Sequence, residues 1–311
     1  KARHNARLGD IEKVLAELKD SLESKRSSAE QIERDVAADG KRLAQSKEAR
    51  SAMNSELTVL TDMEKRREGL KAGVKNILRR RSAQGSQMDY IEGVLADIIM
   101  ADVQYAHAVE AVLEGQTDAL VINSTDRMLA DHETIQQLDG RVNFICLDKI
   151  EPFVDNVDFS EVSCVKGRLA EFVKFDARYA PLVWKLLGKT LVVESLNEAI
   201  ELAGKATDGC KLVTLKGEFA GSDGTVRLGP LGRATGLISR KSRLRQLQET
   251  IDEITSQIEA VEEQITKNGQ TKVHLDKLCK DLRTAVYEAN TEKMQVGSKL
   301  SVIDQNIKRL K

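Results

Sequence analysis

Glycine is dense between residues 216 and 233, where a loop could bind phosphate. The five glycines there are Gly217, Gly221, Gly224, Gly229 and Gly232. A phosphate-binding loop needs a strand before it and a helix after it that carries a lysine and a hydroxyl residue. This segment lacks that order, and the pattern Gly-x-x-x-x-Gly-Lys-Ser/Thr occurs nowhere in the sequence. We therefore expect no nucleotide chemistry and no cofactor in this chain.

Three of these glycines are candidates for an interface between two chains: Gly217, Gly224 and Gly229. Glycine permits tight turns, and it also permits the close approach of another backbone. The sequence leaves both interpretations open.

Other potentially reactive groups have structural explanations. Asp102 and Asp176 each stand shortly before a predicted helix, where a carboxylate caps the helix N-terminus. The four histidines and four cysteines show no metal-ligand spacing and no Cys-x-x-Cys pair. The sequence therefore predicts no catalytic residue and no metal site, and it favours reduced thiols in a cytoplasmic protein.

Two clusters of cations are candidates for DNA contact. Arg79, Arg80 and Arg81 lie near the end of one predicted helix. The second cluster opens another predicted helix and consists of Arg240, Lys241, Arg243 and Arg245. Because both helices join the same domain, we expect the clusters to meet and to bind DNA weakly, without base specificity, by counterion release. A merely solvated junction is the alternative.

The middle of the chain contains an internal near-repeat at an offset of 74 residues. Residues 93–106 read GVLADIIMADVQYA, and residues 167–180 read GRLAEFVKFDARYA. Both copies continue into a helical stretch, a glycine and a short apolar run. The repeat predicts two related half-domains, which favours a homodimer closed by two head-to-tail interfaces. Trp184 corresponds to Glu110, a residue type that avoids the interior, so we expect Trp184 to be partly buried at a boundary rather than in an ordinary core.

Long heptad patterns flank this repeat. Leucine, isoleucine and valine alternate three and four residues apart from Leu8 to Leu43, and again from Leu244 to Ile265. Further runs, at 53–60 and 70–77, require register shifts in the first arm. Such periodicity predicts coiled coils. We expect the two arms to pair with each other in antiparallel orientation, and parallel pairing of each arm with its own copy is the alternative.

Between the arms, short apolar runs alternate with helical segments, which indicates a mixed α/β (α+β) fold. Strands are predicted at 121–122, 142–147, 191–193 and 211–215, and helices at 105–113, 127–138, 179–187 and 197–203. The predicted organisation is an N-terminal arm at 1–81, half-domains at 82–160 and 161–239, and a C-terminal arm at 240–311.

Composition excludes several classes of protein. Aromatic residues make up 4% of the chain and charged residues 31%, which is typical of long helices. Residues 82–239 carry 14 Lys/Arg and 24 Asp/Glu, whereas the whole chain is nearly neutral at −1, so the arms are basic and the centre is acidic. No apolar run reaches membrane-spanning length. The chain begins and ends within helical patterns, so we expect a segment of a longer protein.

Together these segments resemble the hinge of structural maintenance of chromosomes (SMC) proteins of bacterial type, over about residues 88–241. The matching segments are the two repeat copies with their Asp and Tyr, Lys189-Thr-Leu-Val-Val193, Val213-Thr-Leu-Lys-Gly217 leading to Gly224 and Gly229, and Ser239-Arg-Lys241. The family commonly has a Gly-Gly pair after the last hinge strands, where this chain has Gly229-Pro-Leu-Gly232. That departure leaves the local backbone path open.

The resemblance implies a function in chromosome condensation and segregation. SMC proteins are ATP-driven, their hinge dimerises at the end of a folded-back coiled coil, and other condensin-type subunits join them at the nucleoid. The ATPase head is built from terminal segments that this sequence does not contain, so we expect no enzyme activity here. Two other classes remain: a ligand-binding or enzymatic α/β domain inserted in a coiled coil, and a purely structural rod.

Overall fold

The computed structural model describes residues 1–84, 88–154, 162, 164–204, 209–229 and 236–310, without the side chains of 83, 84 and 310. Contacts divide the chain into two units, one of Lys1–Ala52 with Ile251–Lys311 and one of Met53–Thr250. Residues 160 and 161, where the half-domains were predicted to meet, lie outside the described residues, as does Gly232.

The first unit is an antiparallel pair of helices from one chain. Helix α1 spans Ala2–Lys65 and helix α9 spans Leu237–Leu310. As residue numbers rise along α1, the numbers of their ion-pair partners on α9 fall, as shown by Lys1–Asp304, Glu12–Lys293, Glu33–Lys272 and Lys47–Glu262. This confirms the folded-back arm and contradicts parallel pairing of each arm with its own copy.

The row of buried and half-buried positions along α1, here called the seam, is more continuous than the spacing of its apolar residues suggests. On α1, positions 43, 46, 50 and 53 are all half-buried at alternating spacings of three and four, although Ser46 and Arg50 are polar. The expected register shift between Leu43 and Met53 is therefore wrong. Polar seam residues weaken a coiled coil but help to fix its register.

Helix α1 ends before the predicted arm does. A turn at 66–71 separates it from helix α2 (Ala72–Gln84), and Arg67 adopts a left-handed φ of 52° in that turn. Val74 and Ile77 of α2 are each 1% exposed, within the core of the second unit. These apolar residues continue the helical spacing of the arm in sequence, but they pack in the core of the second unit.

The first half of the second unit is a three-stranded sheet with helices around it. Its elements are β1 (Ile91–Val94), α3 (Leu95–Ile98), β2 (Met100–Ala101), α4 (Val103–Val112), β3 (Leu120–Ile122), α5 (Thr125–Ala130), α6 (His132–Gln136) and β4 (Phe144–Cys146). The strand order is β1-β3-β4, with β1 antiparallel and β4 parallel to β3.

The second half repeats this plan and extends it. Its elements are β5 (Val165–Arg168), β6 (Val173–Lys174), α7 (Ala180–Leu187), β7 (Thr190–Val193), α8 (Leu196–Ala203), β8 (Lys211–Thr214), β9 (Phe219–Gly221) and β10 (Val226–Arg227), with 3₁₀ turns at 169–172 and 177–179. The strand order is β10-β9-β8-β7-β5, with β8 parallel to β7. The mixed α/β fold predicted from the sequence is confirmed.

The two halves are related by an approximate two-fold axis. Strands β2 and β6 pair antiparallel, and Met100 lies opposite its own counterpart Lys174, at the repeat offset of 74, so the axis passes through this pair. The first strand of each half also carries the same irregularity beside its glycine, at Gly93 and at Gly167. The near-repeat in the sequence is therefore a repeat of structure.

Several local predictions require correction. Residues 127–138 form two short helices, because Asp131 breaks the helix and caps the second one through the N–H of Thr134. Asp176 caps a 3₁₀ turn through the N–H of Arg178, whereas Asp102 makes no cap hydrogen bond. Glu110 is 2% exposed, so the expectation that it avoids the interior is wrong. Its counterpart Trp184 is half-buried and stacks on Phe153 at 5.9 Å.

Candidate dimerisation and nucleic-acid interfaces

Among the described strands of the second unit, β1, β4, β5 and β10 are the outermost strands of their sheets, and the two halves differ at β4 and β10. In the second half, β8 is followed outward by β9 and β10, whereas the equivalent strand β4 of the first half ends its sheet. All three residues of β4 are half-buried and apolar, namely Phe144, Ile145 and Cys146. An apolar strand with an unpaired edge is prone to pair with another chain.

The outermost strand of the longer sheet, β10, is exposed and has apolar side chains in it and just after it. Val226 is 45% exposed and the following Leu228 is 63% exposed. Its one neighbour among the described strands is β9, paired antiparallel. Arg227 lies over the ring of Phe219 at 4.7 Å and contacts Glu114 of the first half at 3.4 Å, which holds the hairpin against the domain.

The three candidate glycines surround this hairpin. Gly217 closes a turn by donating its N–H to the carbonyl of Thr214 at 2.9 Å, and Gly224 closes the β9–β10 turn by donating to the carbonyl of Gly221 at 3.0 Å. All three have positive φ, at +84° for Gly217 and Gly224 and +109° for Gly229. A Cβ on Gly224 or Gly229 would meet no atom within 4 Å, so turn geometry, not crowding within the chain, requires glycine there.

At the base of the arms, the first two turns of α9 make hydrogen bonds to three other segments of the second unit. Glu110 of α4 accepts hydrogen bonds from the N–H and the hydroxyl of Ser239, at 3.2 and 2.7 Å, and so caps the helix. Burial raises the pKa of Glu110, and these hydrogen bonds oppose the rise. Ser242 donates to the carbonyl of Ala101 in β2 at 2.7 Å.

The third contact uses Arg240, one of the cations predicted to bind DNA. Its side chain is 6% exposed, and it donates to Glu64 near the end of α1 at 3.0 Å and to the carbonyl of Glu68 in the following turn at 2.8 Å. A buried guanidinium held in this way joins the two arm helices, and it does not present its charge to solvent.

Two other cations of α9 are paired but reach solvent. Arg243 makes two hydrogen bonds to the carboxylate of Glu56, at 2.7 and 2.9 Å, and both side chains are more than 40% exposed. The hydrogen bond from Arg243 lowers the pKa of Glu56. Lys241 contacts Glu64 at 3.4 Å and also Asp97, with 26% of its side chain exposed. Burial lowers the pKa of Lys241, although Glu64 opposes this.

The remaining cations of the two clusters are less restricted. Arg80 donates to Gln137, and Arg81 to the carbonyl of Glu92 at 3.3 Å. Arg79 and Arg245 are exposed, and no carboxylate of the described residues pairs with either. A cavity of about 170 Å3 is lined by Arg67, Arg240 and Lys241 together with Leu78 of α2, whereas Arg79, Arg80 and Arg81 are not part of its lining.

Sequence reasoning missed the carboxylates that neutralise these cations. Glu56 and Arg243 each stand beside a seam leucine, so their pairing follows once the register of the two helices is known. Asp97 and Glu110 give no such signal, because they meet α9 only through the fold of the globular unit.

The described residues show no other obvious centre of chemistry. They contain no group of three or more His, Cys, Asp and Glu placed to hold a metal ion. Within the same residues, no helix has the length and apolar character needed to cross a membrane.

Comparison with known proteins places this geometry in a family. Residues 88–203 match the model described as SMC proteins Flexible Hinge Domain. The chromosome partition protein Smc of Halothermothrix orenii is 30% identical over 217 residues, covering 68% of this chain and 18% of that protein. The chromosome partition protein Smc of Rhodopirellula baltica is 29% identical over 210 residues, covering 67% of this chain and 17% of that protein. The chain thus spans less than a fifth of these relatives.

The crystal structure of an asymmetric dimer of the Geobacillus stearothermophilus SMC hinge domain has a similar fold. It superimposes with a TM-score of 0.62 at 24% identity, covering 76% of this chain and 96% of that one. At this identity the likeness concerns the fold alone.

Proposed function

Residues 88–203 form a hinge domain of the SMC family, and from that premise we propose that the chain forms a homodimer through this domain. The dimer is a closed ring in which the β4 edge of each chain pairs with the β10 edge of the other. The observation that carries the proposal is the inequality of the two half-sheets, since β4 lacks the strands that β9 and β10 supply to β8. A head-to-tail exchange closes both edges at once.

The exposed side chains beside β10 provide the test. Leu228→Asp places a charge at the proposed edge without disturbing a positive-φ glycine, and charges on an edge strand oppose pairing. Val273→Asp is a matched control, because Val273 is 71% exposed on the arm. Light scattering should give the mass of two chains for the unchanged protein and for the control, and of one chain for Leu228→Asp. A monomeric unchanged protein at micromolar concentration would refute the proposal.

The same hinge supports the wider function of the family. In the whole protein we place this chain at the dimerisation end of an ATP-driven chromosome-organising machine at the nucleoid, which works with condensin-type subunits. The ATPase belongs to segments outside this chain, and the chain itself carries no catalytic role. Deletion of the hinge strands from the full-length gene should impair chromosome partition while leaving ATP binding by the head intact.

A second proposed property is weak duplex DNA binding at the base of the arms. Arg79 and Arg245 support it, because they are exposed and unpaired within the described part of the chain, whereas the centre of the chain is acidic. Contact with four to six phosphates would give a log–log salt slope of roughly −4 to −5. Reversal of both charges, Arg79→Glu with Arg245→Glu, should abolish binding and leave the dimer intact. Unchanged affinity would place the site elsewhere.

A further inference from the structure

The cations at the base of the arms fall into two classes. Arg79 and Arg245 are exposed without a paired carboxylate among the described residues, and the side chain of Arg67 lines the junction cavity. Lys241 and Arg243 also reach solvent, but Asp97 and Glu56 of the same chain neutralise them. Lys241 and Arg245 are four residues apart on α9, so they share one helix face.

We propose that Glu56 and Asp97 cover a second part of the DNA site, so that phosphates bind Arg243 and Lys241 only by displacing these carboxylates. The proposal rests on the proposed DNA contact and concerns its regulation. Arg79, Arg245 and Arg67 make the first contacts, and the covered pair joins only when DNA competes successfully for it. Arg240 takes no part, because its buried guanidinium remains bonded to Glu64 and the Glu68 carbonyl.

The exposure of the Arg243–Glu56 pair makes this exchange feasible. Both side chains remain more than 40% exposed, so water screens the pair and a competing anion can approach it. A phosphate can replace the carboxylate directly, since guanidinium binds both anions through two parallel hydrogen bonds. Duplex DNA also presents a dense row of phosphates, which a single carboxylate cannot match.

The exchange has a consequence for the helices themselves. Glu56 lies on α1 and Arg243 on α9, so their ion pair joins the outgoing and returning helices at the base of the arms. DNA bound to Arg243 therefore removes one contact between these helices. Duplex binding and close pairing of the helices at this point compete for the same guanidinium.

Neutralising the covering carboxylates tests the proposal. Glu56→Gln frees Arg243, and Asp97→Asn removes one of the two carboxylates that contact Lys241. Glu64, the other one, is left intact because it also holds Arg240. In fluorescence anisotropy with a labelled mixed-sequence duplex, each variant should bind roughly two- to fivefold more tightly, the factor expected for loss of an exposed ion pair. The salt slope should steepen by about 0.9 for each added phosphate contact.

Glu292→Gln is the matched control, because Glu292 pairs with Arg7 on the arm at 2.6 Å with similar exposure. An equal gain in that variant would show a general effect of net charge and overturn the proposal. Adding Arg243→Gln to Glu56→Gln should cancel the gain, and persistence of the gain would likewise overturn it.

The outcome also separates this inference from the DNA contact on which it rests. If Arg79→Glu with Arg245→Glu abolishes binding but Glu56→Gln and Asp97→Asn change neither affinity nor slope, the DNA site stands and the covering role is wrong. If neither the unchanged protein nor any variant binds duplex DNA, both proposals fail. Glu56→Gln and Asp97→Asn are measured singly, so misfolding of one leaves the other as the test.

Discussion

Two ion pairs join the same helices at the base of the arms, and they should differ in their contribution to stability because only one of them contains a buried arginine. Glu64→Gln and Glu56→Gln each remove one carboxylate charge from α1, and each carboxylate binds an arginine of α9. The main difference lies in the arginine, because the Arg240 side chain is 6% exposed and the Arg243 side chain 43%. Glu64 also contacts Lys241, but Lys241 keeps Asp97 as a second carboxylate. Only Glu64→Gln leaves a buried cation without its counter-ion.

The expected magnitudes follow from that difference. Removing one partner of a buried pair costs about 3–5 kcal/mol, but Glu64 is 36% exposed and water reaches it, so we expect about 2–3 kcal/mol. Loss of the exposed Arg243–Glu56 pair should cost about 0–1 kcal/mol. For a unit of this size, Glu64→Gln should lower the melting temperature by roughly 4–12 °C, and Glu56→Gln by at most about 4 °C.

Urea denaturation followed by circular dichroism, together with thermal melts, measures both variants against the unchanged chain. Glu292→Gln on the arm serves as a reference for an exposed pair, since Arg7 and Glu292 are 57% and 44% exposed. Equal losses of stability for Glu64→Gln and Glu56→Gln would refute the reasoning, because burial would then have no part in the cost.

Two further predictions concern the arm and the helix cap. Cysteines at Glu12 and Lys293, which are ion-paired at 2.8 Å, should be joined within one chain by a short bismaleimide. Cysteines at Leu8 and Ile307 should not be joined, because this register separates them by on the order of 15 Å along the helix. Predominant crosslinking between chains would contradict the folded-back arm. Burial raises the pKa of Glu110 above its ordinary 4.5, so the contribution of Glu110 to stability is fully present below pH 4.5 and is lost as pH rises through the pKa of the folded state. The free energy of unfolding of Glu110→Gln, relative to that of the unchanged chain, should therefore be lower in acid than at neutral pH. Denaturation experiments that show the opposite trend would contradict this.

The sequence predicts the arms and the repeat well, because each depends on a pattern read along the chain. Heptad spacing makes the long helices evident, and the repeat appears as matched residues around Gly93 and Gly167. Strands β1 and β5 escaped detection, since each is only four residues long and contains a glycine and a charged residue. Their strand conformation comes from pairing with β3 and β7, which no local pattern reveals.

The site was less predictable, because it depends on which residues meet across the fold. Clusters of like charge in the sequence indicated cations at the base of the arms, but Arg240 is buried and Arg243 is paired. Helix α2 was assigned to the arm because Val74 and Ile77 continue a helical spacing, and only the turn at 66–71 assigns them to the core. A buried capping carboxylate such as Glu110 has no signature in sequence, since the helix that it caps begins 127 residues later, at Leu237.

The most direct test of the central claim is complementation between two damaged edges. Cys146→Asp damages β4 and Leu228→Asp damages the β10 edge, so in a head-to-tail ring each variant alone spoils both interfaces and should be monomeric by light scattering. Mixed, the two folded variants should form a one-to-one heterodimer, because the intact β4 edge of one chain still meets the intact β10 edge of the other. A mixture that stays monomeric, or a single variant that dimerises alone, would contradict the account.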